Sequence, residues 1–359
     1  MDKIAIVVGT RPEVIKLAPV IKAIREEDRL KPYVISTGQQ VGLLRKALDE
    51  FEIKPDIEID LNFGKTHLPE QFGNLVGQIG TCLKEIDSRY VLTQGDTSSA
   101  FAGAVAGFLL KIPVGHVEAG LRSHDLSSPF PEEGYRAMIS RISTHQFAPT
   151  TAAVNNLISE GITESSIHLV GNTIVDSIVE YSSFRIQNTK VKKVLVTLHR
   201  RENFGQPLRD IAAAIKDFAM EELTVQINVI VHPNPNSGLV LKELLADLAN
   251  VNLLEPLNYV DLLHEIRTSH FVLTDSGGIQ EECAVLGSTL LIARNETERP
   301  EVLSESRMLI GTNKDRVYEA LKEEVKRDVR FKEYPDLNLA ILGDGQSSSR
   351  ICRIIQDSM

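Results

Sequence analysis

Short β-rich runs alternate with amphipathic stretches along this 359-residue chain, and the alternation occurs in two series. The first series predicts strands at Ile4–Val8, Tyr33–Ser36, Tyr90–Thr93, Val114–Val117, Gln146–Ala148 and His168–Val170. The second series predicts strands at Val194–Leu198, Gln226–Val231, Val251–Leu254, Phe271–Thr274 and Thr289–Ala293. Strand–helix alternation of this length indicates parallel sheets built from right-handed βαβ units. We therefore predict an α/β protein with two Rossmann-like domains that face each other across a cleft.

A polar segment without apolar periodicity, Ser182–Lys193, separates the two series and is predicted to be the linker. The predicted domains are an N-terminal domain over residues 1–182 and a C-terminal domain over residues 193–345. The remaining residues, 346–359, contain a predicted helix at Ser347–Asp357. The sequence leaves the partner of this helix open, with the N-terminal domain as the candidate.

The composition excludes several classes of partner. The chain has 39 Lys and Arg residues against 49 Asp and Glu residues, which gives a formal charge of −10. Since affinity for a phosphate backbone rests on clustered Lys and Arg, we expect no nucleic-acid partner. The most apolar stretch, Ala100–Leu110, is shorter than the roughly 20 residues that span a bilayer, so we expect no membrane segment. Cys82, Cys283 and Cys352 are far apart, which indicates a cytoplasmic protein without a disulfide framework or a metal site.

Two carboxylates follow predicted strands of the first half. Asp96 comes after Tyr90–Thr93, and Glu118 comes after Val114–Val117. If these strands are neighbours, both carboxylates project into one crevice, where one can act as an acid and the other as a base. The alternative is structural, with Asp96 capping a helix and Glu118 capping a helix or pairing with Arg122.

Further charged residues surround this predicted crevice. Arg11 and Lys16 follow the first strand, after Gly9, where a helix N-terminus favours an anion. Glu132 lies in a proline-rich loop that enters a helix, and Arg136 follows it. An acidic residue in a first helical turn is also favoured by the helix dipole alone, so a catalytic role for Glu132 rests on its closeness to Glu118 in the sequence.

The second half carries a predicted anion site. His199 and Arg200 follow the strand Val194–Leu198 and are well suited to a diphosphate, although a solvated basic loop is the alternative. Ser276, Gly277 and Gly278 open a helix directly after a buried strand, so free N–H groups and the helix dipole converge on one anion. Two further candidates lie around this turn: Glu282, which could accept from ribose hydroxyls, and Arg299, which follows the next strand. His232 ends another strand, where a lone histidine is more often structural.

Ordered motifs along nearly the whole chain resemble the non-hydrolysing UDP-N-acetylglucosamine 2-epimerase family. They are Gly9-Thr10-Arg11-Pro12-Glu13, Gly95-Asp96-Thr97, His116-Val117-Glu118-Ala119-Gly120-Leu121-Arg122, Ser128-Pro129-Phe130-Pro131-Glu132-Glu133, Gly171-Asn172-Thr173, His199-Arg200-Arg201-Glu202, Asp275-Ser276-Gly277-Gly278-Ile279-Gln280-Glu281-Glu282 and Thr297-Glu298-Arg299-Pro300-Glu301. One such motif is weak evidence, whereas the ordered set is specific.

The resemblance implies a GT-B-like fold, a homodimer, and UDP held mainly by the C-terminal domain. It also implies interconversion of UDP-GlcNAc and UDP-ManNAc without a cofactor, which supplies ManNAc units for cell-surface polysaccharide. The implied mechanism is anti elimination of UDP to 2-acetamidoglucal, followed by re-addition. The matching catalytic positions are Asp96, Glu118, Glu132 and His199. The matching substrate-binding positions are Arg11, Lys16, Arg136, Ser276, Gly277, Gly278, Glu282 and Arg299, and we add His232.

Two departures from the family pattern affect these expectations. Tyr135 stands where Asn is usual, which bears on the contacts of Arg136. After the second strand, bacterial members usually read Gln-His-Arg, whereas here Gln39 is kept and the following residues differ. Family members bind an activating UDP-GlcNAc in this region and near Lys65, so we expect substrate activation to be weakened or absent in this chain. The candidate residues for this activating site are Gln39, Lys65 and Arg200.

Other activities remain open on the sequence. They are a hydrolysing UDP-GlcNAc 2-epimerase, an epimerase of another UDP-sugar, a GT-B glycosyltransferase and a non-catalytic UDP-sugar sensor. A glycosyltransferase needs an acceptor and has no need of three inward carboxylates. A sensor would keep Ser276 to Glu282 but could lose Asp96, Glu118 and Glu132, and this chain has all three.

Overall fold

A computed structural model describes residues 1–39, 41–59, 67–182, 192–327 and 342–359 of the chain. The chain divides into two compact units, which we call unit 1 (Met1–Val179 and Leu342–Met359) and unit 2 (Glu180–Ile341). Residues 342–345, predicted to lie in the C-terminal domain, therefore belong to unit 1. Most of the predicted linker lies outside the described residues.

Unit 1 is built on one parallel sheet. Its strands are β1 Asp2–Val8, β2 Leu30–Ser36, β3 Ile57–Glu58, β4 Tyr90–Gln94, β5 Val114–Val117, β6 His145–Ala148 and β7 Ile167–Leu169. In the described part of the chain they form one seven-stranded sheet in the order β3-β2-β1-β4-β5-β6-β7. The residues of β4 and β5 are all buried, as expected for parallel strands covered by helices on both faces.

The helices of unit 1 follow its strands. They are α1 Arg11–Arg25, α2 Val41–Glu50, α3 Leu68–Ile86, α4 Ser98–Leu109, α5 Glu132–Ile142, α6 Thr151–Ser159 and α7 Thr173–Tyr181, whose last two residues belong to unit 2. Thr97 caps α4 by accepting from the N–H of Ala100 (3.0 Å), and Pro12 occupies the first turn of α1, where its missing N–H costs nothing. These local signals fix where each helix begins after its strand.

Unit 2 repeats the pattern with a second parallel sheet. Its strands are β8 Lys193–Thr197, β9 Gln226–Ile230, β10 Val251–Leu254, β11 Phe271–Thr274, β12 Leu290–Ile292 and β13 Arg307–Leu309. Its helices are α8 Gln206–Glu221, α9 Pro235–Leu245, α10 Tyr259–Thr268, α11 Gly277–Leu286 and α12 Lys314–Lys326. Over the residues described here, the six strands lie in the order β10-β9-β8-β11-β12-β13. Of the helices described in both units, none combines the length and apolar character needed to cross a membrane.

The C-terminal helix, α13 (Ser347–Asp357), packs on unit 1, where it contacts α1. Its buried face includes Ile351 and Ile355. Asp176 of α7 accepts from the backbone N–H groups of Ser347 (3.3 Å) and Ser348 (2.8 Å). Because these N–H groups lie in the first turn of α13 and have no partner within the helix, Asp176 acts as a cap from a distant part of the chain.

We predict that Asp176→Ala lowers the free energy of unfolding by about 2 kcal/mol, since two buried N–H groups lose their acceptor. Urea unfolding of the full chain, followed by circular dichroism, measures the loss. Asp344→Ala is the control, because the ion pair of Asp344 with Arg350 (2.6 Å) is exposed and should change the unfolding midpoint little. Equal losses in the two variants would contradict the capping role of Asp176.

Candidate active site

Three strand ends of unit 1 bring the predicted carboxylates together. β1 pairs with β4 and β4 pairs with β5, all parallel, and Gln94 lies opposite Val117 in the register. The loops that follow β4 and β5 therefore leave the same edge of the sheet side by side. The carboxylate of Glu118 lies beside Gly95, because a Cβ placed on that glycine would be 3.6 Å from Glu118 Oε2. The predicted neighbourhood of Asp96 and Glu118 is thus explained by strand order.

Glu118 is held in an unusual conformation by a buried ion pair. Its φ of 67° lies in the left-handed region, which is costly for a residue with a side chain and concentrates at functional sites. Lys16 Nζ of α1 lies 2.7 Å from Glu118 Oε1, and both side chains are almost fully buried. Gln94 Nε2 donates to Glu118 Oε2. The cation and the amide together offset the cost of burying this carboxylate.

Asp96 is paired with a cation from a different helix. Arg136 of α5 forms an ion pair with Asp96, and its Nη1 lies 2.8 Å from Glu133 Oε2. Arg136 and Glu133 are buried, whereas the Asp96 side chain keeps about a quarter of its surface exposed. Glu132 begins α5 and is half-buried. Asp96 is thus both anchored and accessible, as a group that reacts with a ligand must be.

Two structural alternatives weighed from the sequence are wrong, namely Asp96 as the cap of α4 and Arg122 as the partner of Glu118. Thr97, and not Asp96, caps α4. Arg122 pairs with Glu160 (2.7 Å), and not with Glu118. Asp96 is therefore not required as the cap of α4, and Glu118 is not required as the partner of Arg122.

Two further predicted residues lie near this edge of the sheet. Arg11 is the first residue of α1, and its Nη2 is buried without a hydrogen-bond partner among the described residues. An orphaned buried guanidinium nitrogen is costly, so a bound anion is a natural partner.

Gln39 accepts from the hydroxyl of Ser99 (2.8 Å) in α4. Lys65 lies outside the described residues. Tyr135 stacks on Phe101 of α4, with ring centroids 4.9 Å apart.

Sequence reasoning missed two buried groups that hold the loops of this site. The carboxylate of Glu13 accepts from Gly9, Thr10 and Thr97, and burial raises the pKa of Glu13 to about 7. His116 of β5 is fully buried, and its Nε2–H donates to the carbonyl oxygen of Gly95 (2.7 Å). Burial lowers the pKa of His116 to about 4, so the ring stays neutral near pH 7. Both residues lie within the family motifs, which was the available signal.

In unit 2, the buried Asp275 organises the loop after β8. Its carboxylate accepts from the backbone N–H groups of His199 (3.0 Å) and Arg200 (3.1 Å) and from the side-chain amide of Asn203 (3.0 Å). Asn203 also donates to the carbonyl oxygen of Ala293 (3.1 Å). Because β8 and β11 are paired neighbours, one carboxylate at the end of β11 fixes the loop that carries the predicted His199 and Arg200.

The N-terminus of α11 faces two arginines. Ser276 precedes the helix and its side chain makes no capping hydrogen bond. A Cβ on Gly277 would lie 2.6 Å from Arg299 Nη1 and 2.9 Å from Arg200 Nη2, so both guanidinium groups pack against this turn. A Cβ on Gly278 would meet no atom of the described residues within 4 Å. Free N–H groups, the helix dipole and two guanidinium groups therefore converge on one position, which suits a diphosphate.

Buried carboxylates hold these arginines in place. Glu298 Oε1 pairs with Arg299 and lies 3.3 Å from Arg200 Nη2. Glu281 Oε1 lies 2.6 Å from Arg299 Nε. Glu282, predicted to contact ribose hydroxyls, is buried in α11. The network fixes the direction of the guanidinium groups, and sequence reasoning did not assign Glu298 or Glu281 this role.

Two histidines are stacked at the ends of β8 and β9. The rings of His199 and His232 are nearly parallel, with centroids 5.2 Å apart. Burial lowers the pKa of both rings, to about 4 for His232, so both stay neutral near pH 7. The N–H of Asn234 donates to His232 Nδ1 (3.1 Å), which leaves Nε2 of the neutral His232 as the protonated nitrogen. His232, ranked low from the sequence, therefore lies with the predicted His199.

Comparisons with known proteins agree with this architecture. The family model for UDP-N-acetylglucosamine 2-epimerase matches residues 22–356. A UDP-N-acetylglucosamine 2-epimerase of Bacillus subtilis is 37% identical over 97% of this chain and 93% of that protein. The crystal structure of UDP-GlcNAc 2-epimerase from Neisseria meningitidis bound to UDP-GlcNAc has a TM-score of 0.92 and 33% identity over 99% of this chain and 100% of that one. The Methanocaldococcus jannaschii UDP-GlcNAc 2-epimerase in complex with UDP-GlcNAc and UDP has a TM-score of 0.86 and 34% identity over 99% of each chain.

The two parallel sheets and these structural matches define an α/β protein with a GT-B-like fold, as predicted. The chain belongs to the UDP-N-acetylglucosamine 2-epimerase family, which confirms the resemblance seen in the motifs.

We predict that His116 makes the stability of the protein depend on pH. Its pKa is about 4 in the fold, against about 6.5 for an unfolded histidine, so the unfolded chain binds the proton first as the pH falls. The contribution of the neutral ring is present above pH ~6.5 and is lost as the pH falls toward ~4, by about 3 kcal/mol in total.

His116→Gln cannot titrate, and its amide can donate to the same carbonyl oxygen. Urea unfolding at a series of pH values should therefore show a shallower loss of stability for this variant between pH ~6.5 and ~4. His67→Gln, at an exposed position, is the control and should follow the wild type. Parallel profiles for the wild type and His116→Gln would contradict the prediction.

Proposed function

We propose that this protein catalyses the reversible C2 epimerisation of UDP-GlcNAc to UDP-ManNAc without net hydrolysis. The observation that carries the proposal is the pair of carboxylates, Asp96 and Glu118, each ion-paired with a buried cation at the ends of neighbouring strands of unit 1. Family membership and relatives crystallised with UDP-GlcNAc and UDP support the substrate. UDP-ManNAc made in this way would supply ManNAc units for cell-surface polysaccharide.

The chemistry begins with departure of UDP. The proton on C2 of the sugar is not acidic, because no carbonyl group lies next to that carbon. Cleavage of the bond between C1 and the diphosphate oxygen must therefore lead or accompany proton loss, and the departing diphosphate needs N–H and cationic partners. In our proposal Arg200, Arg299 and the N-terminus of α11 take this role, and His199 lies near the leaving group.

Inversion at C2 requires proton transfer on both of its faces. One carboxylate removes the proton as UDP leaves, which gives 2-acetamidoglucal, and a proton returns to C2 from the opposite face as UDP is added back. Asp96, Glu118 and Glu132 are the groups that we propose for these transfers. Lys16 and Arg136 hold two of the three carboxylates in fixed positions, which avoids reorganisation during the reaction.

Product analysis tests this function against its alternatives. We expect proton NMR of a reaction with UDP-GlcNAc to show UDP-ManNAc growing to equilibrium while free sugar does not accumulate. Free ManNAc appearing at the same rate as UDP would instead show a hydrolysing epimerase. No reaction without an acceptor sugar would favour a glycosyltransferase, and UDP binding with no reaction at all would favour a sensor.

We predict that Asp96→Asn, Glu118→Gln and Glu132→Gln each slow turnover by about 10²-fold or more, because each removes a proton-transfer group. UDP binding, measured by calorimetry, should persist in all three, since the partners that we propose for the diphosphate belong to unit 2. Glu164→Gln changes an exposed carboxylate of unit 1 and should turn over like the wild type. Unchanged turnover in any of the three variants would remove that residue from the mechanism.

We also propose that the protein is a homodimer in which α3 lies at the interface. Gly73, Gly77 and Gly80 recur along this helix, and a Cβ on any of them would meet no atom of the described residues within 4 Å. Each glycine inside a helix costs about 1 kcal/mol relative to alanine, and packing among the described residues gives no reason for it. Close approach of α3 to a second copy of the chain, related by a two-fold axis, accounts for these glycines.

Gly77→Glu should dissociate this dimer, because it places a charged side chain where the second copy approaches. The helix of the monomer is not weakened, since glutamate is a better helix former than glycine. Light scattering coupled to size exclusion should give twice the chain mass for the wild type and the chain mass for the variant. Asn155→Glu adds the same charge to an exposed position of α6 and should stay dimeric. A dimeric Gly77→Glu variant would contradict the role of α3, and a monomeric wild type would contradict the dimer itself.

A further inference from the structure

Glu13 joins two loops that carry predicted site residues. Its Oε2 accepts from the N–H of Gly9 (3.0 Å) and the hydroxyl of Thr10 (2.7 Å). Its Oε1 accepts from the hydroxyl of Thr97 (2.7 Å), which is 84 residues away in the sequence. One carboxylate therefore connects the turn before Arg11 to the residue that follows Asp96.

The two loops are also in direct contact. A Cβ on Gly9 would lie 2.0 Å from Ser99 Oγ of α4 and 2.6 Å from Thr37 Oγ1, so only glycine fits at this crossing. The turn after β1 is thus pressed against the N-terminus of α4, and the hydrogen bonds of Glu13 fix the direction of that contact. A shift of this turn would move Arg11 relative to Asp96.

Each oxygen of Glu13 faces a donor, and these hydrogen bonds favour the ionised carboxylate against the burial that raises its pKa. The hydroxyl oxygen of Thr97 already accepts from the N–H of Ala100 (3.0 Å), so its proton points to Glu13 Oε1. At Oε2 a backbone N–H and a hydroxyl both point inward. A glutamine would place an NH₂ group against at least one of these donors, and a buried donor would lose its acceptor.

We propose that Glu13 is a positioning residue for the epimerase reaction, which holds Arg11 and Asp96 in their productive geometry through Thr10 and Thr97. The inference rests on the proposed function. Glu13 is 1% exposed and both of its carboxylate oxygens accept from Gly9, Thr10 or Thr97, so it acts through these loops and not on the sugar itself. A misplacement of about 1 Å at a reacting group can cost up to 10²-fold in rate.

Two substitutions test the proposal. Glu13→Gln keeps the shape of the side chain and removes one acceptor oxygen. Thr10→Val removes a single hydrogen bond to Glu13, and it is mild because Thr10 has an extended backbone and its side chain makes no capping bond to α1. Thr10→Ser retains the hydroxyl and serves as the conservative control for Thr10→Val.

We expect Glu13→Gln and Thr10→Val each to lower kcat about tenfold, while the Kd for UDP stays within about twofold of the wild type. Thr10→Ser retains the hydroxyl, so its kcat should stay within about twofold of the wild type. The double variant should lose no more than Glu13→Gln alone, because both changes act through the same carboxylate. Losses that multiply in the double variant would show that the two residues act independently and would contradict the proposal.

A purely structural role predicts a different result. It would lower the thermal midpoint of Thr10→Val but leave the kcat of the folded protein unchanged, and that outcome would overturn the proposal. If Glu13→Gln does not fold, the comparison of Thr10→Val with Thr10→Ser still decides the question. Failure of the proposed function is a separate result, since then the wild type itself would not interconvert UDP-GlcNAc and UDP-ManNAc.

Discussion

The parallel pairing of β1, β4 and β5 is the constraint on which the unit 1 site depends. Parallel strands send their carboxyl ends to one edge of the sheet, so residues far apart in sequence meet there. Lys16 and Glu118 are 102 residues apart and form a buried ion pair because their elements follow β1 and β5, the two strands that flank β4. In unit 2 the pairing of β8 with β11 has the same effect, since it places Asp275 beside the loop of His199.

Both units bury charges in pairs, and we propose that this arrangement lets an acidic chain receive an anion. In unit 1, cations hold the carboxylates of Asp96 and Glu118 in place. In unit 2, Glu298 holds the guanidinium groups of Arg200 and Arg299 beside the first turn of α11. Fixed dipoles and charges of this kind stabilise developing charge without reorganisation, which is what departure of a diphosphate requires. The net charge of the chain is therefore a poor guide to the local field at its sites.

Much of this architecture could be predicted because parallel strands are apolar throughout and are followed by polar clusters. The central strands begin and end within a few residues of their predicted bounds, and α13 has the predicted bounds. The strands β3 and β13 were not predicted, because they are only two and three residues long. Ion-pair partners could not be predicted, since sequence proximity favoured Arg122 for Glu118 whereas the fold supplies Lys16. The role of Glu13 depends on Thr97, a partner that only the packed sheet brings into reach.

In the proposed reaction, protein carboxylates exchange the hydrogen on C2 of the sugar while UDP leaves and returns. A reaction of UDP-GlcNAc in deuterium oxide tests this exchange, with mass spectrometry and proton NMR of the recovered UDP-sugars. We expect one solvent deuterium at C2 of the UDP-ManNAc that is formed. UDP-ManNAc that appears with its original proton at C2 would contradict this exchange.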